Sequence, residues 1–468
     1  MTATEVTASP SVLSPRRRWA VLAVCASALF LVGLDTTIVT VGLPQIGQGL
    51  GVDTDRLAWV VDAYTVPFAS LLITSGALAD RYGRRRIFQT GLVVFALASL
   101  TAAVAPTLEF LLAARAIQGV GASMLTPVAL AIVVGVMTDP RERARAIGVW
   151  ASVFGLSMAV GPVVGGALIA GLGWRAVFWI NVPIVLVAIL LVVALVPESR
   201  ATRVRRLDLP GQALLVLLVG VAVALLIEGP RLGWISPVIG SGAVVLLCAA
   251  LEFVWVESCR REPLIELGLF RHPGFTGAVV GAVVLFIGFS VTLVGTTVLL
   301  QDAEQWTPLA AGAVTLPMAL GAIVGAPLSG WLVGRAGPRL PLLVAGAFLT
   351  AGGGLLTALE AGVNLPILLA AYLCLGLGVG LGNPPITNTA VNSLPVDRAG
   401  VAGGITSTAR QVGTALGVAL AGSFAATGEL RTGWMIVVGC GIVLLVVGLF
   451  ASARRREPRI ATVVAGRA

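Results

Sequence analysis

Apolar runs of about twenty residues recur along almost the whole of this 468-residue chain, and they limit the folds open to it. Hydrophobic residues make up 57% of the sequence and charged residues only 11%, with a mean hydropathy of +0.99. A water-soluble chain alternates polar and apolar faces far more often than this. Because each apolar run must satisfy its own backbone hydrogen bonds in lipid, the sequence predicts an all-α membrane protein.

The apolar runs, read against the polar breaks between them, predict fourteen transmembrane helices. Two central helices separate a first set of six from a second set of six. The predicted helices lie at 19–43, 57–79, 87–105, 108–137, 143–171, 174–196, 209–228, 234–256, 273–300, 308–333, 339–359, 364–392, 399–426 and 431–452. The chain is thereby divided into a cytoplasmic N-terminal tail (1–18), a six-helix bundle (19–197), a linker with the two additional helices (198–272), a second six-helix bundle (273–452) and a cytoplasmic C-terminal tail (453–468).

All 31 basic residues are arginines, and their distribution predicts the orientation of the chain. A net charge of +9 is compatible with nucleic-acid binding, but the arginines form short clusters between apolar runs rather than a stripe on one helix face. Nearly all of them lie on the same predicted side as the N-terminus. The positive-inside rule therefore predicts a multi-pass protein of the cell (inner) membrane with both termini in the cytoplasm, in contact with lipid and not with nucleic acid.

One short connection, Gly76 to Arg86, is much more charged than the apolar runs that it joins and reads GALADRYGRRR. A shift of 254 residues relates it to a weaker copy at 330–339, and a shift of 257 places Gly119 on Gly376. Two matches at nearly the same offset indicate an internal repeat. We therefore expect two parallel six-helix halves with a substrate path between them.

Few ionisable residues lie deep inside predicted helices. Each costs roughly 2.5 to 3.5 kcal/mol to insert, so each is a functional candidate. At 1.5 Å per residue, Asp35, Asp62 and Arg115 share one depth in the first half. Arg410 lies inside a helix of the second half, where it is either a structural bridge or a transport residue. No acid lies inside the predicted helices after residue 273, which argues against the export of dications.

Four stretches of the chain together resemble the major facilitator superfamily and, within it, the fourteen-span drug/proton antiporters. GALADRYGRRR resembles the superfamily's signature between its second and third helices. The other three are LDTTIVTVGLP (34–44), RAIQGVGA (115–122) and GLSMAVGPVVGG (155–166), the last of which is similar to a motif associated with antiporters and exporters. The resemblance covers residues 16 to 455 and implies the major facilitator fold, two six-helix bundles plus two inserted central helices.

The deep charges are the predicted residues of proton coupling and substrate contact: Asp35, Asp62 and Arg115. Desolvation favours the neutral form of a carboxyl and a nearby guanidinium favours its charged form, so we expect Asp35 to be the main protonation site. Asp62 is expected to share the proton or to meet a cationic substrate; a hydrogen bond near the outer surface is the alternative. Arg115 is expected to modulate both acids.

Two motifs are expected to serve conformational change. A charged network in the short connection would close the inner side and break when the protein changes state. A purely topological role explains its arginines but not Asp80. Its residues are Gly76, Asp80, Arg81, Gly83, Arg84 and Arg85. In the fifth predicted helix, small residues and a proline allow close packing and a local bend. These are Gly155, Gly161, Pro162, Gly165 and Gly166.

The energy source follows from what the sequence lacks. There is no GxxxxGK[ST] loop and no lysine to complete one, so ATP hydrolysis is excluded and an ion gradient must drive any transport. The five cysteines show no metal-ligand spacing, and we expect no metal, no cofactor and no enzymatic activity. The resemblance favours protons over sodium.

The predicted function is a monomeric, proton-coupled antiporter that exports lipophilic or cationic compounds such as drugs, dyes or antibiotics by alternating access. Efflux of several unrelated compounds would produce multidrug and antibiotic resistance. The alternative on the same fold is a dedicated exporter or importer of a single metabolite. A receptor or scaffold that no longer transports would need an extended soluble region, and the sequence offers only short tails and connections.

Overall fold

Long α-helices account for nearly all of the residues that the computed structural model describes, which are 14–53, 56–137, 139–200, 208–260, 262–361, 363–393 and 399–451. No β-strand occurs in these ranges. The first half contains α1 (Pro15–Leu50), α2 (Ala58–Tyr82), α3 (Arg84–Ala103), α4 (Leu108–Ser123), α5 (Thr126–Val136), α6 (Pro140–Leu172), α7 (Ala176–Trp179) and α8 (Asn181–Leu195). The inserted pair is α9 (Leu209–Leu232) and α10 (Pro237–Cys259).

The second half begins with α11 (Pro273–Val298), which continues into one π turn (Leu299–Ala303). It then contains α12 (Pro308–Ala313), α13 (Leu316–Ala336), α14 (Arg339–Thr357), α15 (Leu365–Asn392), α16 (Ala399–Thr427) and α17 (Leu430–Phe450). Three predicted helices are each interrupted: 108–137 between α4 and α5, 174–196 between α7 and α8, and 308–333 between α12 and α13. Pro127 and Pro183 lie just after the first two breaks, where the missing N–H weakens the helix.

Twelve helical segments within the described residues are long and apolar enough to cross a membrane, counting each interrupted helix once. The prediction of an all-α, multi-pass membrane protein is thereby confirmed. Helices α6 and α16 are not among the twelve, and the described stretch Val160–Leu172 of α6 is a shorter apolar helix. The count of fourteen spans therefore stays a prediction.

The two halves pack their helices in the same pattern. In the first half α1 packs on α6, α2 on α4, and α3 on α8; in the second half α11 packs on α16, α13 on α15, and α14 on α17. The contacts repeat at residue level. A Cβ added at Gly119 would strike the carbonyl oxygen of Tyr64, and one added at Gly376 would strike that of Met318. These two pairs are related by the shifts that the sequence repeat indicates.

The halves touch at the end of the bundle opposite the α2–α3 connection. We call the end that holds the α2–α3 connection the basic end. At the opposite end Ala58 of α2 packs against Gly422 of α16, whose added Cβ would lie 2.6 Å from the Cβ of Ala58. Towards the basic end, a Cβ added at Gly76 of α2 or at Gly403 of α16 would meet no described atom within 4 Å. A buried hydrogen bond from Gln301 Nε2 to the carbonyl oxygen of Val41 (2.9 Å) also joins the halves at the opposite end.

Candidate proton and substrate site

Asp35 lies near the middle of α1, and its carboxylate is fully buried and fully hydrogen-bonded. Oδ2 accepts from Arg115 Nη1 at 2.6 Å. Oδ1 accepts from Gln118 Nε2 and from Asn181 Nδ2, each at 2.9 Å. All four side chains have no exposed surface. One acid and one guanidinium therefore neutralise each other inside the first half, with two amides completing the carboxylate's contacts.

The Arg115 guanidinium connects four helices. Besides Asp35 on α1, its Nε donates to the carbonyl oxygen of Val60 on α2 at 3.0 Å. Its Cζ lies 4.3 Å from the ring centre of Tyr64 on α2 and 5.8 Å from that of Phe178 on α7. Arg115 itself belongs to α4. Aromatic faces stabilise a buried cation that water no longer solvates. The two rings therefore help to stabilise the charge of Arg115 in the interior of the first half.

Sequence analysis missed the neutral members of this cluster, Gln118, Asn181 and Ser99. Ser99 Oγ accepts from Gln118 Nε2 at 2.9 Å and from Asn181 at 3.4 Å, and it donates to the carbonyl oxygen of Phe95. The sequence does contain a feature that could have identified two of these residues. Gln118 lies one turn from Arg115 on the same helix face, and Asn181 is a lone amide at the start of a very apolar helix, where a polar side chain requires a partner.

Asp62 is equally buried, but the structure does not bring it into contact with Asp35 or Arg115. Neither of its carboxyl oxygens has a hydrogen-bond partner among the residues that the structure describes. The reason for the separation is helical geometry. Tyr64, two residues later, faces Arg115, so the side chain of Asp62 leaves α2 on nearly the opposite face.

The face of α2 that carries Asp62 packs against both the second half and the inserted pair. Its neighbours one turn away on either side are Ala58, which contacts Gly422 of α16, and Val66, which lies against Gly220 of α9. Helix α9 also packs on α16. Asp62 thus lies where α2, α9 and α16 meet, and the inserted pair helps to enclose it.

Two further polar contacts hold α9 on α2. Trp59 Nε1 donates to Glu228 Oε1 at 3.0 Å, and Gln212 Nε2 donates to the carbonyl oxygen of Ser70 at 2.9 Å. Gln212 also contacts the Thr74 hydroxyl. Helix α10, in contrast, packs chiefly on α9. The inserted pair is therefore more than a connection, because its first helix is fixed along most of the length of α2.

Among the residues of the predicted charged network at the basic end, Asp80 and Arg84 form an ion pair. Asp80 Oδ1 accepts from Arg84 Nε (3.2 Å) and Nη2 (3.0 Å), and Arg84 Nη1 donates to the carbonyl oxygen of Ala131 on α5 at 3.3 Å. Arg81 does not join Asp80; its Cζ lies 5.3 Å from the ring centre of Tyr82. Gly76, on the same helix, faces open space.

Glu198, which follows α8, is a partner of this connection that sequence analysis missed. It accepts from the backbone N–H of Arg85 at 3.1 Å, at the positive end of α3. Arg85 Nη2 donates to the carbonyl oxygen of Val193 at 2.9 Å. Gly83 has φ of 115°, a conformation that side chains with a Cβ rarely adopt, and the Glu198 carboxylate lies where its Cβ would be. The connection is thus clamped to the end of α8.

The small residues of α6 face two different neighbours. Gly161 and Gly165 pack on α1 beside Asp35, because an added Cβ would strike Thr37 Oγ1 or lie 2.7 Å from Ile38 Cγ1. Pro162 and Gly166 face α12 of the second half: a Cβ at Gly166 would lie 2.5 Å from the carbonyl oxygen of Pro308. A Cβ at Gly312 would strike the carbonyl oxygen of Pro162. Gly155 belongs to α6, but its surroundings lie outside the described residues.

Arg410 is half-buried on α16 and bonds only neutral groups. Nη1 donates to Asn383 Oδ1 (3.2 Å) and Thr387 Oγ1 (3.3 Å), and Nη2 donates to Ser407 Oγ at 2.7 Å. These contacts tie α16 to α15. Neither a carboxylate nor any of the first-half site residues contacts it within the described part of the chain.

Comparison with known proteins identifies the family. The family model described as Major Facilitator Superfamily matches residues 25–418. The chain belongs to the major facilitator superfamily. It is 37% identical over 398 residues to the multidrug resistance protein Stp of Mycobacterium tuberculosis (84% of this chain, 73% of the relative). It is 38% identical over 417 residues to the puromycin resistance protein pur8 of Streptomyces alboniger (87% and 81%). It is 33% identical over 414 residues to the multidrug efflux pump LfrA of Mycolicibacterium smegmatis (88% and 81%).

Membership of this superfamily makes the protein a membrane transporter and not an enzyme. The resemblance drawn from the sequence motifs is confirmed at the level of the superfamily. Its assignment to the fourteen-span group is a finer statement that the matching family model does not reach.

Proposed function

We propose that this transporter is a proton-coupled antiporter that exports lipophilic drugs, dyes or antibiotics across the cytoplasmic membrane by alternating access. Relatives over most of its length carry names of multidrug resistance, antibiotic resistance and efflux proteins. The protein would then confer resistance by lowering the concentration of such compounds in the cell. The observation that carries the proposal is the buried Asp35 cluster, because an isolated ion pair inside a lipid-embedded bundle is costly and is retained for transport in proteins of this kind.

Protonation of Asp35 would alter this cluster directly. The ionised carboxylate accepts three hydrogen bonds, one of them from a guanidinium. A proton on that carboxyl would remove the charge that holds Arg115 and leave a buried cation without a counter-ion. Such a change is worth several kcal/mol in a buried pair, enough to bias a conformational equilibrium. Asp35 is therefore the proposed main protonation site, and Arg115 sets the relative stability of its two forms.

A short series of contacts links Asp35 to the interface between the halves. Thr37 and Ile38 follow Asp35 on α1 and pack on Gly161 and Gly165 of α6. Pro162 and Gly166, on the adjoining face of α6, pack on α12 of the second half. Because the glycines leave no room for adjustment, a shift of α1 relative to α6 would move the contact with α12. We propose that this is how a proton on Asp35 changes the closure at the opposite end.

Asp62 is proposed as a second protonation site. Both of its oxygens are buried, and no group in the described part of the chain bonds to them. An ionised carboxylate in such a place would lose its solvation and gain nothing in return, so we propose that Asp62 carries a proton in this conformation. Separation of α2 from α9 and α16 would hydrate it and allow the proton to leave.

The conformation itself fits one half of a transport cycle. The halves touch at the opposite end, and we take the open space at Gly76 and Gly403 to mark an opening between them at the basic end. We assign the basic end to the cytoplasm because arginines collect in its connections. The protein would then be open to the cytoplasm, ready to take up a compound for export. The Asp80–Arg84 pair, which bonds only within the first half here, would contact the second half when the basic end closes.

Everted membrane vesicles test the proposal. Acidifying the interior should drive several unrelated lipophilic compounds into vesicles that contain the protein, and an uncoupler should stop all of them. Asp35→Asn and Asp62→Asn should abolish the uptake at normal protein levels. Asp53→Asn, at an exposed acid in the connection that follows α1, is the matched control and should transport normally. Uptake of one compound alone would favour a dedicated single-metabolite transporter, and undiminished uptake by both variants would exclude the proposed coupling sites.

A further inference from the structure

Arg410 lies on a stripe of α16 that runs from the narrow gap between the halves towards the proposed opening at the basic end. Gly403, Ser407, Arg410, Thr414 and Val418 are three or four residues apart and share one face of the helix. Thr414 and Val418 line the narrow gap between the halves, opposite threonines of α1. Gly403, at the other end of the stripe, faces open space. Arg410 thus lies between the gap at Thr414 and the open space at Gly403.

The guanidinium is positioned but not neutralised. Its three acceptors are an amide oxygen and two hydroxyls on Asn383, Thr387 and Ser407. A guanidinium has five N–H donors and remains charged under all physiological conditions. Three hydrogen bonds occupy Nη1 twice and Nη2 once, and Nε donates to no group in the described residues. One Nη2 hydrogen and the Nε hydrogen therefore remain for a further acceptor.

No acid of the chain's described part is placed to supply that acceptor. Asp35 is already bound to Arg115. Asp62 lies one turn from Ala58, which packs on Gly422, whereas Arg410 lies twelve residues from Gly422, or about 18 Å along α16. Asp302, Glu304 and Glu429 belong to the opposite end of the second half. The positive charge of Arg410 is therefore uncompensated at the wall of the opening.

We propose that Arg410 binds an anionic oxygen of the transported compound, as in a carboxylate, phenolate or enolate carried on a lipophilic scaffold. This inference rests on the proposed function and narrows it. A carboxylate would complete the donor set and neutralise the charge, and charge-assisted pairs with arginine are about twice as strong as neutral hydrogen bonds. A cationic compound would instead meet like charge on the second half's wall. The site therefore selects acidic compounds over the cationic ones that the sequence also allowed.

Binding to the purified protein in detergent tests the assignment with three probes on one scaffold. The probes are pyrenebutanoate, its methyl ester and pyrenylbutyl-trimethylammonium, followed by fluorescence anisotropy. We expect the wild-type protein to bind the carboxylate at least tenfold more tightly than the ammonium. Arg410→Gln should raise the Kd for the carboxylate at least tenfold, change that for the ester less than threefold, and leave ammonium binding equal or tighter. Arg410→Lys keeps the positive charge but loses the planar set of guanidinium donors. Its Kd for the carboxylate should lie between those of the wild type and Arg410→Gln.

The matched control is Arg335→Gln, at an exposed arginine of α13 stacked on Trp331. It should bind all three probes as the wild type does. Retained ester binding by Arg410→Gln shows that the variant is folded. Equal effects on all three probes, no effect on the carboxylate, or no carboxylate binding by the wild type would overturn the inference. Charge-selective binding through Arg410 without pH-driven uptake of any probe would contradict the proposed antiport and leave the binding site standing.

Discussion

Arg115 donates to Asp35 across 2.6 Å in the interior of the first half, and neither side chain reaches the surface. The pair joins α4 to α1, and its other contacts bring in α2 and α7. Few arrangements in a lipid-embedded protein are as costly to assemble from separate, solvated charges. Substitutions can remove the charge of Asp35 or the neighbouring amides one at a time, and we expect different effects on transport and stability.

Asp35→Asn keeps an acceptor for Arg115 but cannot exchange a proton. We expect pH-driven export to fall at least tenfold and the melting temperature to fall, because Arg115 keeps a hydrogen-bond acceptor but loses its counter-ion. Asp35→Leu removes the acceptor as well and leaves the guanidinium buried and unpaired, which costs about 3 to 5 kcal/mol. The leucine variant should therefore melt at a lower temperature than the asparagine variant. Vesicle uptake and thermal unfolding of the purified protein separate the two effects; full export by Asp35→Asn would remove this acid from the mechanism.

Gln118 and Asn181 position the ion pair without titrating. Gln118→Leu removes a donor to Asp35 and an acceptor for Arg115 (2.7 Å), whereas Asn181→Leu removes only a donor. Each unsatisfied buried group costs about 1 to 3 kcal/mol. We expect both variants to transport more slowly, and Gln118→Leu to be the less stable of the two. Initial rates of uptake and melting temperatures measure this order, and the reverse order would show that the Gln118–Arg115 contact is unimportant.

Gly166→Ala should obstruct closure at the opposite end, because its Cβ would lie 2.5 Å from the carbonyl oxygen of Pro308. Backbone atoms cannot move aside as a flexible side chain can, so we expect turnover to fall roughly tenfold, a little over 1 kcal/mol in barrier height. Gly171→Ala, on the same helix but facing open space, is the control and should behave as wild type. Spin labels on α6 and α12 should report a larger separation in Gly166→Ala. An unchanged distance with unchanged turnover would contradict the proposed role of this contact.

Arg81 and Arg84 look equivalent in the sequence of the α2–α3 connection, but they make different contacts in the structure. Asp80→Asn and Arg84→Gln each break the observed pair and should slow turnover to a similar extent. Arg81→Gln should have a much smaller effect, since Arg81 lies over Tyr82 instead. Both partners of the pair are partly exposed, so little change in stability is expected. Similar losses in all three variants would mean that the loop acts through its total charge rather than through one contact.

Much of this site could be predicted from sequence, and the rest depended on which way side chains point. Depth along a helix follows from counting residues at 1.5 Å each, so Asp35 and Arg115 could be placed at one level. Direction around the helix axis was harder. Asp62 shares that level but leaves α2 on the face opposite Tyr64, which only the packing of neighbouring helices reveals.

The neutral residues and the attachment of the inserted pair to α2 were missed for a different reason. Hydropathy and charge identify isolated acids and arginines, whereas Gln118 and Asn181 gain their role from partners that are distant in sequence. Gln212 and Glu228 are polar residues in the apolar helix α9, and their bonds to α2 could not be read from the sequence alone. The repeat, in contrast, could be predicted from sequence. Close backbone contacts allow only glycine at Gly119 and Gly376, so both halves keep the same residue there.

The most direct measurement of proton coupling is proton release when substrate binds to the purified protein. A compound shown to be taken up by the vesicles is added to wild-type protein in weak buffer with a pH indicator. We expect binding to release protons from the wild type, and we expect the variant that combines Asp35→Asn with Asp62→Asn to bind the compound but release none. Equal release from the double variant, or none from the wild type, would contradict it.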